Sequence, residues 1–240
     1  MPWFYEVAER DHELQNPTSP EKILLLGQRL GLGEDSVVLD VASGRGGPAL
    51  LLAEEFGCRL VGVERFEGFY AAALERARAR GLGERVTFHL GDATAFPIEA
   101  EAYDAALCLG AAFVWGGLEG TLAALVPAVR PGGHVAVGEA FWRSPPPPGE
   151  EEDFVSLRET ALSVEQAGLA LVGLIASSTD DWDRYESLHW ASVEAWLAEH
   201  PEDPGAPALR NQHERERYRY LYLTRDRLGW AIFVGRKSLG

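Results

Sequence analysis

Three carboxylates stand at the ends of short apolar runs. Asp40 follows Val37-Val38-Leu39, Glu64 follows the run over 59–63, and Asp92 follows Val86-Thr87-Phe88-His89-Leu90 and Gly91. Between the first two lies a glycine-bearing turn, Ala42-Ser43-Gly44-Arg45-Gly46-Gly47. Leu50, Leu51, Ala53 and Phe56 then recur at helical spacing. The pattern predicts a β–turn–α–β unit with glycines at the helix mouth and an acid closing the second strand. Bare backbone at such a turn approaches a ligand closely, and the second carboxylate accepts from ribose hydroxyls, so the unit is suited to hold a nucleotide. Gly44-x-Gly46-x-x-Ala49 also fits the dinucleotide fingerprint, a match that specifies little alone. Dinucleotide glycines follow their strand directly and receive a pyrophosphate, which Asp40 would repel.

S-adenosylmethionine carries no phosphate. Its ammonium and sulfonium suit a carboxylate under the turn. Here the sequence resembles the class I S-adenosylmethionine-dependent methyltransferases, whose first motif runs Asp-x-Gly-x-Gly-x-Gly. Asp40, Gly44 and Gly46 match it, whereas Ala42 stands where the first glycine usually is and would crowd the methionine part of the cofactor. The resemblance implies cofactor contacts at Asp40, Ala42, Ser43, Gly44, Gly46, Glu64, Arg65, Leu109 and Asn16. It also implies that Asp92 accepts from the adenine amine, with Ala93 as a neighbouring backbone donor. Read from the residues alone, Asp92 is equally a turn or cap residue ahead of 94–96. Tyr103-Asp104 opening a fourth strand and the turn Arg130-Pro131-Gly132-Gly133 are further matches to the family. Gly110-Ala111-Ala112-Phe113, ending that fourth strand, would face the transferring methyl, and its small residues admit an acceptor. Over nearly the whole chain, His12-x-x-x-Asn16-Pro17, Gly138-Glu139-x-x-Trp142-Arg143 and Asp183-Arg184-Tyr185-Glu186 resemble a bacterial group of methyltransferases of undetermined substrate. A looser likeness to quinone-biosynthesis C-methyltransferases covers only the sheet core.

The elements that must position these residues follow in order. An amphipathic, polar-rich segment spans 3–16. Ser19 then caps a helix with Pro20 at its first position, and Gly31 and Gly33 end it. A helix over 67–80 offers Tyr70, Leu74 and Ala77 as inner positions. Strands are expected at 103–109, 134–138 and 169–175, helices at 118–129 and 154–166, and a last, antiparallel strand at 230–234. Residues 145–148 are all proline and, with Glu150-Glu151-Glu152, predict an exposed linker; the acidic run 150–153 reads as a solvated face. About fifty residues precede the last strand where a hairpin needs only a few. Trp182, Tyr185, Leu188 and Trp190, then Val193, Trp196 and Leu197, indicate helices; 201–207 breaks them before another at 209–227. Such a length without structure is uncommon, so a folded cap is expected. The resulting architecture is α/β: a Rossmann-like, seven-stranded, mostly parallel sheet with an antiparallel last strand. It forms one domain over 1–240, with a helical cap at 1–35, a core at 36–178 and 228–240, and a helical insert at 179–227 over the substrate side.

The composition, 46% apolar and 25% charged over 240 residues, is that of a globular chain. No apolar run approaches membrane-spanning length. The first eleven residues lack the basic and apolar regions of a secretion signal. Cys58 and Cys108 fall on separate predicted strands without paired spacing, which indicates core packing, no metal and a reducing cytoplasm. An excess of Arg over Lys with frequent Pro and one Met resembles a bacterial composition. A formal net charge of −15 argues against nucleic acid as partner. The expected partner is a small-molecule methyl acceptor, bound by a monomer or homodimer away from membranes.

A deprotonating base is required only for a carbon acid, a hydroxyl or a protonated amine. Its candidates are His12, Glu139 and His189, a lone histidine being more often a satisfied structural or surface residue. Phe113, Trp142, Tyr185 and Trp190 are candidates to line the acceptor pocket, with cap-to-core packing as the alternative for the last three. Asp180, Asp181 and Asp183 beside Trp182, Tyr185 and Trp190 would give an apolar lining with a few acids. That lining suits a small, partly apolar acceptor, an amine being one class. The competing functions are a nicotinamide-dependent oxidoreductase and a non-catalytic S-adenosylmethionine-binding protein.

Overall fold

A computed structural model describes residues 2–149 and 154–239. The acidic run at 150–153 lies outside them.

The apolar runs become a seven-stranded sheet. Its strands are β1 (Val37–Val41), β2 (Arg59–Glu64), β3 (Val86–Leu90), β4 (Tyr103–Leu109), β5 (Val129–Trp142), β6 (Leu169–Ala176) and β7 (Leu228–Lys237). They lie in the order β3-β2-β1-β4-β5-β7-β6, with only β7 antiparallel to its neighbours. Central strands buried on both faces explain the unbroken apolar runs in the sequence. On one face α2 (Pro20–Leu30), α3 (Gly47–Phe56) and α4 (Glu67–Ala79) cover a core that includes Ile23, Leu52, Leu60 and Ala77. On the other, α5 (Leu118–Leu125) and α6 (Leu157–Gln166) cover Leu39, Leu125, Val137 and Phe233. Cys58 and Cys108 are free thiols, one in each core.

The chain order reverses between β1 and β4. A crevice therefore opens beyond their carboxyl ends, where open α/β sheets bind ligands. Above it lie α1 (Pro2–Ala8), α7 (Thr179–Glu199) and α8 (Ala206–Tyr218), sharing a third cluster of Phe4, Val7, Val193, Leu197 and Leu209. Among the described residues no helix is long and apolar enough to cross a membrane.

Several boundaries differ from the sequence expectation. The fifth strand is not confined to 134–138: β5 runs through Pro131-Gly132-Gly133, with its β4 pairing shifted between Tyr103 and Ala105. It then continues to Trp142 because nine of its residues pair with β7, itself longer than 230–234. The helix expected to reach 129 ends at Leu125, and the one expected from 154 starts after Ser156, which forms a capping box with Glu159. The inner ridge of α4 is Phe69, Ala73 and Ala77; Tyr70 and Leu74 flank it. In the insert, α7 is one unbroken helix of 21 residues. Pro207 begins α8 rather than ending a helix, since an N–H is expendable in a first turn. Beyond Tyr218 the chain widens into a π-helical turn, Arg219–Thr224, a form frequent at functional sites.

Candidate active site

The crevice is a cavity of about 1230 Å³, floored by the strand ends and roofed by the N-terminal segment and α7. That volume exceeds an ordinary ligand pocket and accommodates a nucleotide with a second molecule beside it.

Its floor is acidic. Asp40, the penultimate residue of β1, is almost fully buried, and its Oδ2 has no hydrogen-bond partner among the described residues. Burial, and then the neighbouring carboxylate of Glu64, push Asp40 up to about 7. Glu64 is tied down from both sides: Gly44 N–H donates to Oε2 at 2.8 Å and Phe66 N–H to Oε1 at 2.7 Å. These two bonds use half of the lone-pair sites of a carboxylate, leaving one on each oxygen for a diol. Burial raises Glu64 above its ordinary value, against the pull of those N–H groups. The buried hydroxyl of Ser43 is also unpartnered. Orphaned anionic and neutral oxygens around a glycine turn fit a cationic nucleoside and oppose a pyrophosphate.

The turn is built for close approach. Gly44 has φ 55°, and a Cβ there would sit 2.1 Å from Gln15 Oε1. Ala42, at the position of the family's first glycine, is itself left-handed at φ 53°. That conformation costs a non-glycine residue about 1–2 kcal/mol, a strain retained beside the ligand space. Gly46 does not line the cavity; it caps α3, and a Cβ there would meet the Phe88 ring at 2.7 Å. Its role is close helix–strand packing.

The N-terminal segment closes the crevice from above. Asn16 Nδ2 donates to Leu109 O at 2.9 Å, and Arg45 N–H donates to Gln15 Oε1 at 2.6 Å. Gly110, at φ 86°, leaves the space that Asn16 Oδ1 needs, since a Cβ would lie 2.1 Å from it. Glu9, 6% exposed, accepts from Tyr185 Oη at 2.9 Å and from Gln15. It also stands 3.6 Å from His189, whose other nitrogen is 3.8 Å from Glu186. Burial alone would discharge His189; Glu186 and Glu9 outweigh it and raise the imidazole to about 9. His12 packs on that ring at 4.4 Å. Burial, reinforced by the charge of His189, lowers His12 to about 4, so a neutral imidazole backs a protonated one.

The expected residues thus divide. Asn16, Asp40, Ala42, Ser43, Gly44, Glu64, Arg65 and Leu109 line one continuous cavity, together with Phe113, Glu139, Tyr185, His189 and Trp190. Others do not reach it. Asp92 lies at the surface, where its Oδ1 accepts from Thr94 N–H at 2.9 Å and from the Thr94 hydroxyl at 2.8 Å, the turn reading of its sequence. Ala93 is buried in the second core. Trp142 packs in the first core with Leu228 and Trp230; those two line the cavity and Trp142 does not. His12 sits behind the wall, bonded at Nε2 to Tyr185 O at 3.0 Å.

The acids expected from the insert are also displaced. Asp181 is buried in a capping box and paired with Lys22 and Arg184; Asp183 accepts from Tyr220 Oη at 2.7 Å and from Arg225 Nε at 2.8 Å. Neither, nor Asp180, lines the cavity. Helical rotation is the reason: Trp182, Tyr185, Glu186, His189 and Trp190 share the inner face at i, i+3, i+4, i+7 and i+8. Glu9, Gln15, Glu186 and Tyr220 escaped the sequence reading. The i+4 partner of Trp182 signalled Glu186, whereas Glu9 and Gln15 had no local pattern to mark them.

Comparison with known proteins agrees with this geometry. The family described as "Methyltransferase domain" matches residues 38–133. A crystal structure of an S-adenosylmethionine-dependent methyltransferase from Geobacter sulfurreducens, in complex with S-adenosyl-L-homocysteine, superposes with a TM-score of 0.91 at 34% identity over 98% of each chain. A protein of Escherichia coli K12, YjhP, described as uncharacterised, is 30% identical over 98% of both. The 27-O-demethylrifamycin SV methyltransferase of Amycolatopsis mediterranei is 27% identical over 83% of this chain and 76% of its own. The chain belongs to the S-adenosylmethionine-dependent methyltransferases.

Proposed function

We propose that the protein binds S-adenosylmethionine along the β1–β4 crevice and methylates a small molecule held under residues 179–227. The observation that carries this reading is the buried, unpartnered Asp40 carboxylate beside the doubly anchored Glu64 at a glycine turn. Bound there, the cofactor supplies an electrophilic methyl, and the protein supplies orientation, a dry site and proton handling. Asp40 faces its cationic end, Glu64 its ribose hydroxyls, and Gly110-Ala111-Ala112 leave room for the acceptor. The superposed Geobacter protein, holding S-adenosyl-L-homocysteine, supports the cofactor assignment. The roof of α1 and α7 favours a small acceptor over a polymer, as does a relative named for its action on a rifamycin.

Among the three candidate bases, His12 is screened from the cavity and His189 is already protonated. Glu139, within β5 and paired with Ala231, lines the cavity beside the proposed methyl-transfer position: Gly110 N–H bonds to Gly138 O at 2.8 Å. Burial, slightly opposed by the Ala140 N–H, pushes Glu139 up to about 7. We assign it the proton of the acceptor.

Calorimetric titration with S-adenosyl-L-homocysteine tests the reading, followed by radiolabelled methyl transfer to a panel of small acceptors. No binding would overturn it, and binding without any turnover would point to a non-catalytic role. Glu64→Ala is expected to weaken binding by about 1.5–3 kcal/mol, the range of hydrogen bonds to a charged group. An unchanged affinity in that variant would remove Glu64 from the site. Affinity should also depend on pH. Asp40 must lose its proton to face a cation, so binding releases a proton and tightens as pH rises through about 7, levelling above it. Titrations on both sides of neutrality check this; Asp40→Asn should flatten the curve.

A further inference from the structure

The half of the cavity beyond the cofactor residues has a composition of its own. Sheet order separates it from Glu64, since β1 and β4 lie between β2 and β5. Three strand spacings put the two strand ends about 14 Å apart. Among the described residues Glu139 makes no ion pair; its hydrogen bond is from its own neighbour, Ala140 N–H, at 3.2 Å, and Arg219, which also lines the cavity, has a partner of its own. The protonated His189 does not neutralise it, being already paired with Glu9 and Glu186.

The same cavity carries an aromatic wall. Tyr220, brought in by the π-helical turn, lies with its ring centroid 6.2 Å from Trp182, stacked, and 6.1 Å from Trp190. The Tyr220 hydroxyl is spent on Asp183, which Arg225 fixes in turn, so the ring is held and its hydroxyl donates away from the cavity. A buried carboxyl without an ion-pair partner among the described residues and aromatic faces along the same cavity make a definite chemical demand. They call for a cation with apolar area around it.

Resting on the methyltransferase reading above, we propose that the acceptor is an amine, bound as its ammonium between Glu139 and the Trp182–Tyr220–Trp190 wall. The ammonium is the counter-ion that Glu139 lacks. Passing one N–H proton to the Glu139 carboxylate leaves a neutral carboxyl and a nitrogen lone pair, without any other participant. The excess of carboxyl over cationic side chains around the cavity attracts such a ligand and rejects an anionic one.

Three probes of one shape test the proposal on the full chain saturated with S-adenosyl-L-homocysteine. They are tyramine, its neutral isostere 4-propylphenol, and the anionic 3-(4-hydroxyphenyl)propionate. Calorimetry is expected to find tyramine bound about tenfold or more tightly than either of the others. Glu139→Gln should remove most of that advantage while leaving affinity for S-adenosyl-L-homocysteine unchanged, which also shows that the variant is folded. Equal affinities for the three, preference for the carboxylate, or no binding of any of them would overturn the proposal. Failure to bind S-adenosyl-L-homocysteine would instead overturn the reading beneath it.

Discussion

Replacing Glu139 by Gln is expected to lower kcat by about 10²- to 10⁴-fold on any acceptor that must lose a proton, the usual worth of a positioned base. The amide keeps the shape of the side chain and loses only the ability to take a proton. In the native protein the rate should rise with pH through about 7, because burial holds the Glu139 carboxyl protonated below that point and the base works only when ionised. The same limb should be missing in the variant. Stopped assays of S-adenosyl-L-homocysteine release across neutrality measure both. A variant that keeps the native rate and its pH dependence would show that the acceptor needs no base, and would leave Glu139 outside the chemistry.

Deleting residues 1–17 should abolish tight cofactor binding, with an affinity at least about 100-fold weaker for the loss of several buried hydrogen bonds and a wall of the cavity. Those bonds are specific. Asn16 reaches Leu109 O, Gln15 receives the Arg45 N–H, and Glu9 receives the Tyr185 hydroxyl. The sheet and its two cores involve none of residues 1–13, so far-UV circular dichroism should retain the native strand signal. Removing α1 uncovers Val193 and Leu197, so a gentler variant is informative beside it. Asn16→Ala loses one bond and should weaken binding by about 0.5–1.5 kcal/mol. If the truncated chain binds S-adenosyl-L-homocysteine as well as the whole one, the segment is only a cover.

The sequence alone determined the sheet and the glycine-turn end of the cavity, because both are written locally. An apolar run, an acid, a glycine turn and a helical repeat occupy the 28 residues from 37 to 64, and β1, α3 and β2 follow them with shifts of a residue or two. The Ser19-Pro20 start of α2 and its Gly31 end are likewise contained within one turn of chain. Asp40 and Glu64 needed only their own strands to be placed.

The opposite end of the cavity was decided by tertiary structure. Asp180, Asp181 and Asp183 look equivalent to Glu186 in a list of acids; helical spacing sets Glu186 on the face that α7 turns to the cavity, and tertiary contacts commit Asp181 to Lys22 and Asp183 to Arg225. Asp92 matched a family position by spacing, yet its carboxylate closes a turn with Thr94, because that bond is available within two residues. Glu9 lies 180 residues from His189, and no period in the sequence connects them. Their pairing exists because α1 packs against the middle of α7, and burial there favours opposite charges that satisfy one another. Glu139 shows the same division. Its place after Gly138 was legible, while the continuation of β5 past it to Trp142 came from pairing with β7, and burial in the assembled structure raises its carboxyl to about 7.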